Sequence, residues 1–310
     1  MTVELGIKSD PIHGRFSFEW LFDLLKELDV HFVQMGSYPE IYTLEDDFFR
    51  KLRRSAEARD VHIKSCFTTL RDLGGFLTGD PYLERAAERI FRRLIRVAAL
   101  VGADSTGGHG GSVFRDRMTA KGTGIARFLS HMKDLMGLAR QEGLGALTIE
   151  PMSCLAEHPT LPEEIDRMVE ELGAHHRENP RQTVPVYLCP DIGHGYADGR
   201  KRIIHDNWGL FEHTIPCMWE FHFKNTDALY DETFGFSPPE TERGIVDLVR
   251  LRRLLEKNAH RFPVHPVIGY LEIGGPKVGR DYADGQLERM IVDSLERLKA
   301  VFLDSGSGGS

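Results

Sequence analysis

Short apolar runs alternate with longer segments of helical period along the chain. The runs Val3–Ile7, Phe32–Gly36, Val61–Cys66, Ala103–Gly107, Ala146–Glu150, Val186–Asp191, Trp219–Lys224 and Val267–Glu272 are brief and bounded by turn residues or glycine. Strands of a parallel sheet, covered on both faces, read this way. Between them apolar residues recur every three or four positions. Phe18, Leu21, Phe22, Leu25 and Leu28 form one stripe, and Ile90, Leu94, Val97 and Val101 another. Ile165, Met168, Val169 and Leu172 form a third, and Leu287, Met290, Ile291, Leu295 and Leu298 a fourth. These stripes predict amphipathic helices that pack into a core. Pro162 followed by Glu163 and Glu164 suits a first helical turn, and Gly102 and Gly143 suit helix ends.

Eight strand–helix units with no Ser/Pro-rich linker between halves predict one domain over residues 1–303, followed by a flexible Ser/Gly tail over 304–310 that reads as a linker or cloning remnant. Eight βα units in a chain of 310 residues fit an α/β fold of the (β/α)8 TIM-barrel type. A doubly wound open sheet is the structural competitor.

Composition narrows the function classes. Lys and Arg number 39 against 47 Asp and Glu, a formal charge of −8, which lacks the basic balance of a nucleic-acid binder. No uncharged apolar run reaches the about 18 residues of a membrane span, and no signal peptide is visible. The four cysteines, Cys66, Cys154, Cys189 and Cys217, show no C-x-x-C spacing. A reduced, cytoplasmic protein without disulfides or structural zinc is expected.

In a barrel the chemistry sits at the C-terminal ends of the strands, which makes those positions informative. The fifth run ends in Thr148-Ile149-Glu150, and the sixth in Cys189-Pro190-Asp191 with His194 three residues on. The seventh contains His222 and Lys224, and the eighth ends in Leu271-Glu272. Each acid alone could cap a helix or pair with an arginine. Three carboxylates at one mouth repel each other and need a cation, and an imidazole beside them makes a hard, mostly oxygen donor set. One divalent metal is expected, Mn²⁺ first, with Mg²⁺ or Co²⁺ as alternatives. Glu150, Asp191, His222 and Glu272 are the candidate ligands.

The placement of Glu150, Asp191 with His194, His222 and Glu272 resembles the metal site of the xylose-isomerase-like TIM-barrel superfamily. The sugar phosphate isomerase/epimerase branch, with the ketose 3-epimerases, is the nearest in pattern. That resemblance implies that Glu150 and Glu272 both bind the metal and act as the acid/base pair. It also implies that Asp191 and His222 complete the coordination and that His194 contacts substrate oxygens. The wider segments TIEPMSCLAE, DIGHGYAD, FHFKNTD, TFGFSP and GYLEIGGPKVGRDY are similar to a subgroup of erythritol-catabolism proteins that racemise 3-tetrulose 4-phosphate. Free-ketose 3-epimerases carry a second Glu six residues after the first metal Glu, where this chain has Ala156, and an Arg six residues after the metal His, where it has Ala228. Those departures count against a free hexulose and leave the metal chemistry untouched. The implied reaction is proton transfer at C3 of a small ketose or ketose phosphate through a cis-enediolate.

A substrate phosphate needs backbone N–H groups or fixed cations near the mouth. Candidates are Lys277 and Arg280 after the eighth strand, Lys224 after the seventh, and His109 in Gly107-Gly108-His109-Gly110-Gly111 after the fourth. Lys224 has a plainer reading as the neutraliser of Asp227 or of a ligand carboxylate. The glycines have one in turn geometry. Lys64, a charge inside a predicted strand, is a further substrate-binding candidate. Lys8 and Asp10 follow the first strand without an assigned role. The aromatics Phe223, Phe234 and Phe236 suggest an apolar lid or a subunit contact, and with it a homo-oligomer, most simply a dimer.

Three other readings compete. A phosphodiesterase related to endonuclease IV needs more histidines and a basic face. The metal-bearing large subunit of a C-glycoside-cleaving enzyme needs a small partner chain. A non-catalytic sugar-binding barrel has no use for both Glu150 and Glu272.

Overall fold

A computed structural model describes residues 3–36, 38–69, 75–273 and 285–303. Its main sheet has eight strands: β1 (Val3–Lys8), β2 (Phe32–Gly36), β3 (His62–Thr69), β4 (Ser105–His109), β5 (Ala146–Ile149), β6 (Val186–Leu188), β7 (Glu220–Phe223) and β8 (Val267–Leu271). They are hydrogen-bonded in the order β6-β5-β4-β3-β2-β1-β8-β7. Pairing is parallel, with Gly6 opposite Tyr270 and His222 opposite Tyr270 on the other side. Just beyond β6, Asp191 forms a parallel bridge to His222. His222 N–H donates to the Pro190 carbonyl at 2.9 Å, and Ile192 N–H to the His222 carbonyl at 3.3 Å. The order and this bridge make a nearly closed (β/α)8 barrel, and the open-sheet alternative falls.

Eight principal helices follow the strands in turn: α1 (Phe18–Glu27), α2 (Asp46–Glu57), α3 (Pro81–Val101), α4 (Lys121–Gln141), α5 (Pro162–Glu178), α6 (Asn207–Thr214), α7 (Leu248–Lys257) and α8 (Leu287–Phe302). Local chemistry sets their ends. Asp80 caps α3 by accepting from the N–H groups of Tyr82 and Leu83, and Gly102 ends it at φ +79°, a left-handed conformation that glycine adopts without strain. Pro162 opens α5 at the position where a missing N–H is harmless.

The chain divides into two compact units. The first comprises Met1–Gln34, Ser55–His62 and Pro190–Ser310, and the second Met35–Arg54 and Ile63–Cys189. In the first, the core gathers Phe22, Phe221, Phe223, Tyr270, Leu295 and Leu298, all fully buried. Phe221 and Phe223 meet edge to face at 4.6 Å. In the second, Phe76 stacks on Phe91 at 5.6 Å above Leu94, Ile95 and Phe128. Gly107 is required where it stands, since a Cβ there would lie 1.9 Å from the Thr148 carbonyl oxygen. The glycines flanking His109 therefore serve close strand packing first.

Two sequence expectations are corrected here. Phe223, Phe234 and Phe236 are buried, so they form neither an exposed lid nor a free subunit contact. Arg243 covers the Phe234 ring at 3.8 Å, and Phe236 N–H donates to Ser294 Oγ. The aromatic reason for a dimer goes with them. Phe18 is only half-buried, because it sits in the first turn of α1, while Phe22 one turn on reaches the core. Two hairpins escape the apolar pattern, Tyr196–Ala197 with Ile203–His205 and Asn225–Thr226 with Thr233–Phe234. Their strands of two or three residues are too short to carry a period.

Candidate metal centre

The residues that follow β6, β7 and β8 converge. Asp191 leaves the bridge with its side chain fully buried. Its Oδ1 accepts from the Gly193 N–H at 2.7 Å, which turns Oδ2 toward Lys224. His222 is buried inside β7. Its Nε2 is 2.8 Å from Gln34 Oε1, and its Nδ1 is 2.8 Å from Glu272 Oε2. An amide oxygen can only accept, so Nε2 carries a proton toward Gln34, and Nδ1 is the nitrogen aimed at the acids. Glu272 follows β8 directly and is fixed there by its N–H bond to the Phe223 carbonyl at 3.0 Å.

Two lysines meet these acids. Lys8, at the end of β1 and 2% exposed, donates to Glu272 Oε1 at 2.9 Å and lies 3.0 Å from Asp10 Oδ2. Lys224 Nζ lies 3.0 Å from Asp191 Oδ2 and 3.2 Å from Glu272 Oε2. Burial alone would raise the Glu272 carboxyl. Lys224, Lys8 and His222 outweigh it and hold the group well below the usual carboxylate range, so it is ionised. His194 Nε2 is 3.5 Å from Asp191 Oδ2.

Glu150, one residue past β5 and 3% exposed, is anchored by its N–H bond to the Gly108 carbonyl at 3.2 Å. Glu150, Asp191, His222 and Glu272 each offer one ligand atom, and these atoms lie within 4.8 Å of one another. A cation with oxygen ligands at about 2.0–2.6 Å accommodates donors on that scale. The donor set fits as well as the spacing. Asp191, Glu272 and Asp10 outnumber the ammonium groups of Lys8 and Lys224 that meet them, and a hard divalent cation would offset the surplus.

The remaining candidates separate. Lys224 is at the centre, where it neutralises ligand carboxylates. Asp227 is instead held by the N–H groups of Leu229 and Asp231. His109 is buried at the end of β4, and its Nδ1 accepts from the Gly111 N–H at 3.1 Å. Lys64 is a correction. It lies near the N-terminal end of β3 and pairs with Asp104 at 3.0 Å on the solvent side, so its ammonium serves a surface ion pair and not a substrate. Lys277 and Arg280 lie outside the described residues. Sequence reading missed Gln34 and gave Lys8 no role. A polar residue inside the apolar run Phe32-Val33-Gln34-Met35 and a lysine closing an apolar strand were the available signals.

No known family profile matches the chain, and no curated protein matches it in sequence. Solved structures do. A candidate xylose isomerase from Rhodospirillum rubrum is 21% identical, covers 96% of this chain and 99% of its own, and has a TM-score of 0.76. A D-psicose 3-epimerase from Clostridium cellulolyticum is 13% identical over 97% of this chain and 99% of its own, at a TM-score of 0.70. An L-ribulose 3-epimerase is 12% identical over 99% and 100%, at 0.61. At these identities the likeness establishes the fold alone, a (β/α)8 barrel. Among the described residues no helix is long and apolar enough to cross a membrane.

Proposed function

We propose that the protein is a divalent-metal-dependent isomerase that inverts C3 of a small ketose phosphate by proton transfer, with 3-tetrulose 4-phosphate as the substrate its sequence segments favour. The observation that carries this reading is the convergence of Asp191, His222 and Glu272 on one centre where carboxylates outnumber ammonium groups. The names of the solved neighbours, ketose 3-epimerases among them, support the reaction class.

Glu150, Asp191, His222 and Glu272 would hold the cation, Mn²⁺ by preference. When bound, it would polarise the ketose carbonyl and offset the negative charge that develops beside it. Lys8 and its partners keep Glu272 ionised, the form in which a carboxylate accepts a proton. Glu272 and Glu150 are the two acid/base groups: one takes the C3 proton and the other returns one to the opposite face of the enediolate. Asp191 holds His194 beside the centre, where the imidazole can donate to a substrate hydroxyl.

The test is incorporation of solvent deuterium at C3. Tetrulose, pentulose and hexulose phosphates and their free ketoses are incubated with the protein and Mn²⁺ in deuterated water and read by mass spectrometry. One deuterium per turnover is expected with a tetrulose phosphate. Incorporation only with a free ketose moves the substrate class, and retention of the hydrogen replaces proton transfer by hydride shift. No incorporation with any of them overturns the proposal.

A further inference from the structure

Lys8 and Lys224 both touch Glu272, but not on the same side. Lys8 holds the outer oxygen, Oε1, and shares its ammonium with Asp10. Lys224 reaches the inner oxygen, Oε2, which is also the one 2.8 Å from His222 Nδ1, and joins it to Asp191 Oδ2. Both of these oxygens face the donors that would surround a cation. Lys224 therefore lies where a cation would lie, on a side chain only 12% exposed and beside the fully buried side chains of Asp191 and His222.

An ammonium and a divalent ion cannot share two carboxylate oxygens at such distances in a poorly solvated pocket, because like charges there are screened little. Lys8 is compatible with a bound ion and Lys224 is not. We infer that Lys224 is an internal counter-cation, which pairs Asp191 with Glu272 in the metal-free protein and must be displaced when the metal enters. Loading is then an exchange of one cation for another. The exchange spares the metal-free chain a cluster of unpaired buried acids, and it weakens metal binding by the work of breaking two ion pairs. This rests on the metal reading above and adds a control on occupancy to it.

Mn²⁺ affinity, measured by titration calorimetry on the native chain and on Lys224→Met, Lys224→Gln and Lys224→Arg, tests the inference. The two neutral variants are expected to bind Mn²⁺ about tenfold more tightly or better, and Lys224→Arg, which keeps the charge, within about threefold of native. Unchanged or weaker binding in both neutral variants, with native binding intact, overturns the counter-cation and leaves the metal reading standing. Absence of Mn²⁺ binding in the native chain and in every variant overturns both. Should the neutral variants not fold without metal, the native chain still decides. The Lys224 ammonium resonance, assigned through Lys224→Arg, is expected to shift in step with Mg²⁺ addition, and a resonance unmoved at saturation sinks the exchange.

Discussion

Two ion clusters in this chain use the same parts and come to different ends. Glu164, in the first turn of α5, is engaged by Lys121, accepts from the Thr160 N–H at 3.0 Å and has His158 Nδ1 at 3.6 Å. Glu272, past the end of β8, is engaged by Lys8, Lys224 and His222. Each acid is pushed up by burial and pulled down further by its partners. The difference is the charge ratio. Glu164 has one lysine for one carboxylate and a helix N-terminus beneath it, so nothing is owed to a ligand. Around Glu272, Asp191 and Asp10 add carboxylates faster than lysines answer them. A balanced cluster ties a fold together, whereas a surplus of buried anion marks a place for something not encoded in the chain.

The comparison breaks most easily at Glu272. Glu272→Gln removes the acid/base group and a ligand while keeping the shape, and turnover in the deuterium assay should fall about 10²- to 10⁴-fold. Retention of native turnover in a folded variant would remove Glu272 from the chemistry. Metal removal comes next. A hundredfold excess of Mn²⁺ over its dissociation constant stabilises a folded chain by about 2.7 kcal/mol, or roughly 5 °C in melting temperature for a domain of this size. The metal-stripped native protein should show that rise in thermal scans, and Asp191→Asn should lose most of it. Equal rises in both would mean that the ion binds elsewhere.

Legibility from the sequence followed the same divide. All eight barrel strands were visible, because each is a buried run bounded by turns; one matched at both ends and the other seven shifted at an end by only one to three residues. The charged helix α2, Asp-Asp-Phe-Phe-Arg-Lys-Leu-Arg-Arg, hid its apolar stripe, since it buries little more than Phe49, Leu52 and Ala56. The four candidate ligands were legible because barrel geometry converts strand ends into a shared mouth. Their supports were not. Gln34 and Lys8 lie 188 and 264 residues from the groups they bond, a distance that no local spacing rule crosses. Lys64 misled for the converse reason. A charge in a strand reads as interior unless its height in that strand is known.

Gln34 sharpens the comparison at a smaller scale. If its amide oxygen fixes the His222 proton on Nε2, Gln34→Leu leaves the ring free to turn or to protonate on Nδ1. Mn²⁺ affinity should then fall about 10- to 100-fold, as for other groups that orient a ligating histidine. The nitrogen-15 spectrum of His222 in the metal-free chain provides a readout that loss of packing alone would not move. A native-like Nε2–H signature in Gln34→Leu would leave the residue with a packing role only.

The balanced cluster supplies the smallest effect and the control. Glu164 is held at about 2 against an ordinary value of 4.5. A carboxyl lowered on folding stabilises the native state above its unfolded value, and that contribution drains away as the pH falls through the folded one. The window here runs from about pH 4.5 down to about 2. Glu164→Gln should therefore cost about 1–2 kcal/mol at pH 7, less than the full linkage value because the cluster is partly solvated. Native and variant stabilities, read from urea midpoints, should converge as the pH drops through that window. Mn²⁺ affinity and turnover should not change, because Lys121 and His158 answer to Glu164 and to no ligand. A Glu164→Gln chain with weakened Mn²⁺ binding would show that charge balance does not separate the two clusters, and the case for a metal at the Glu272 centre would then rest on its donor spacing alone.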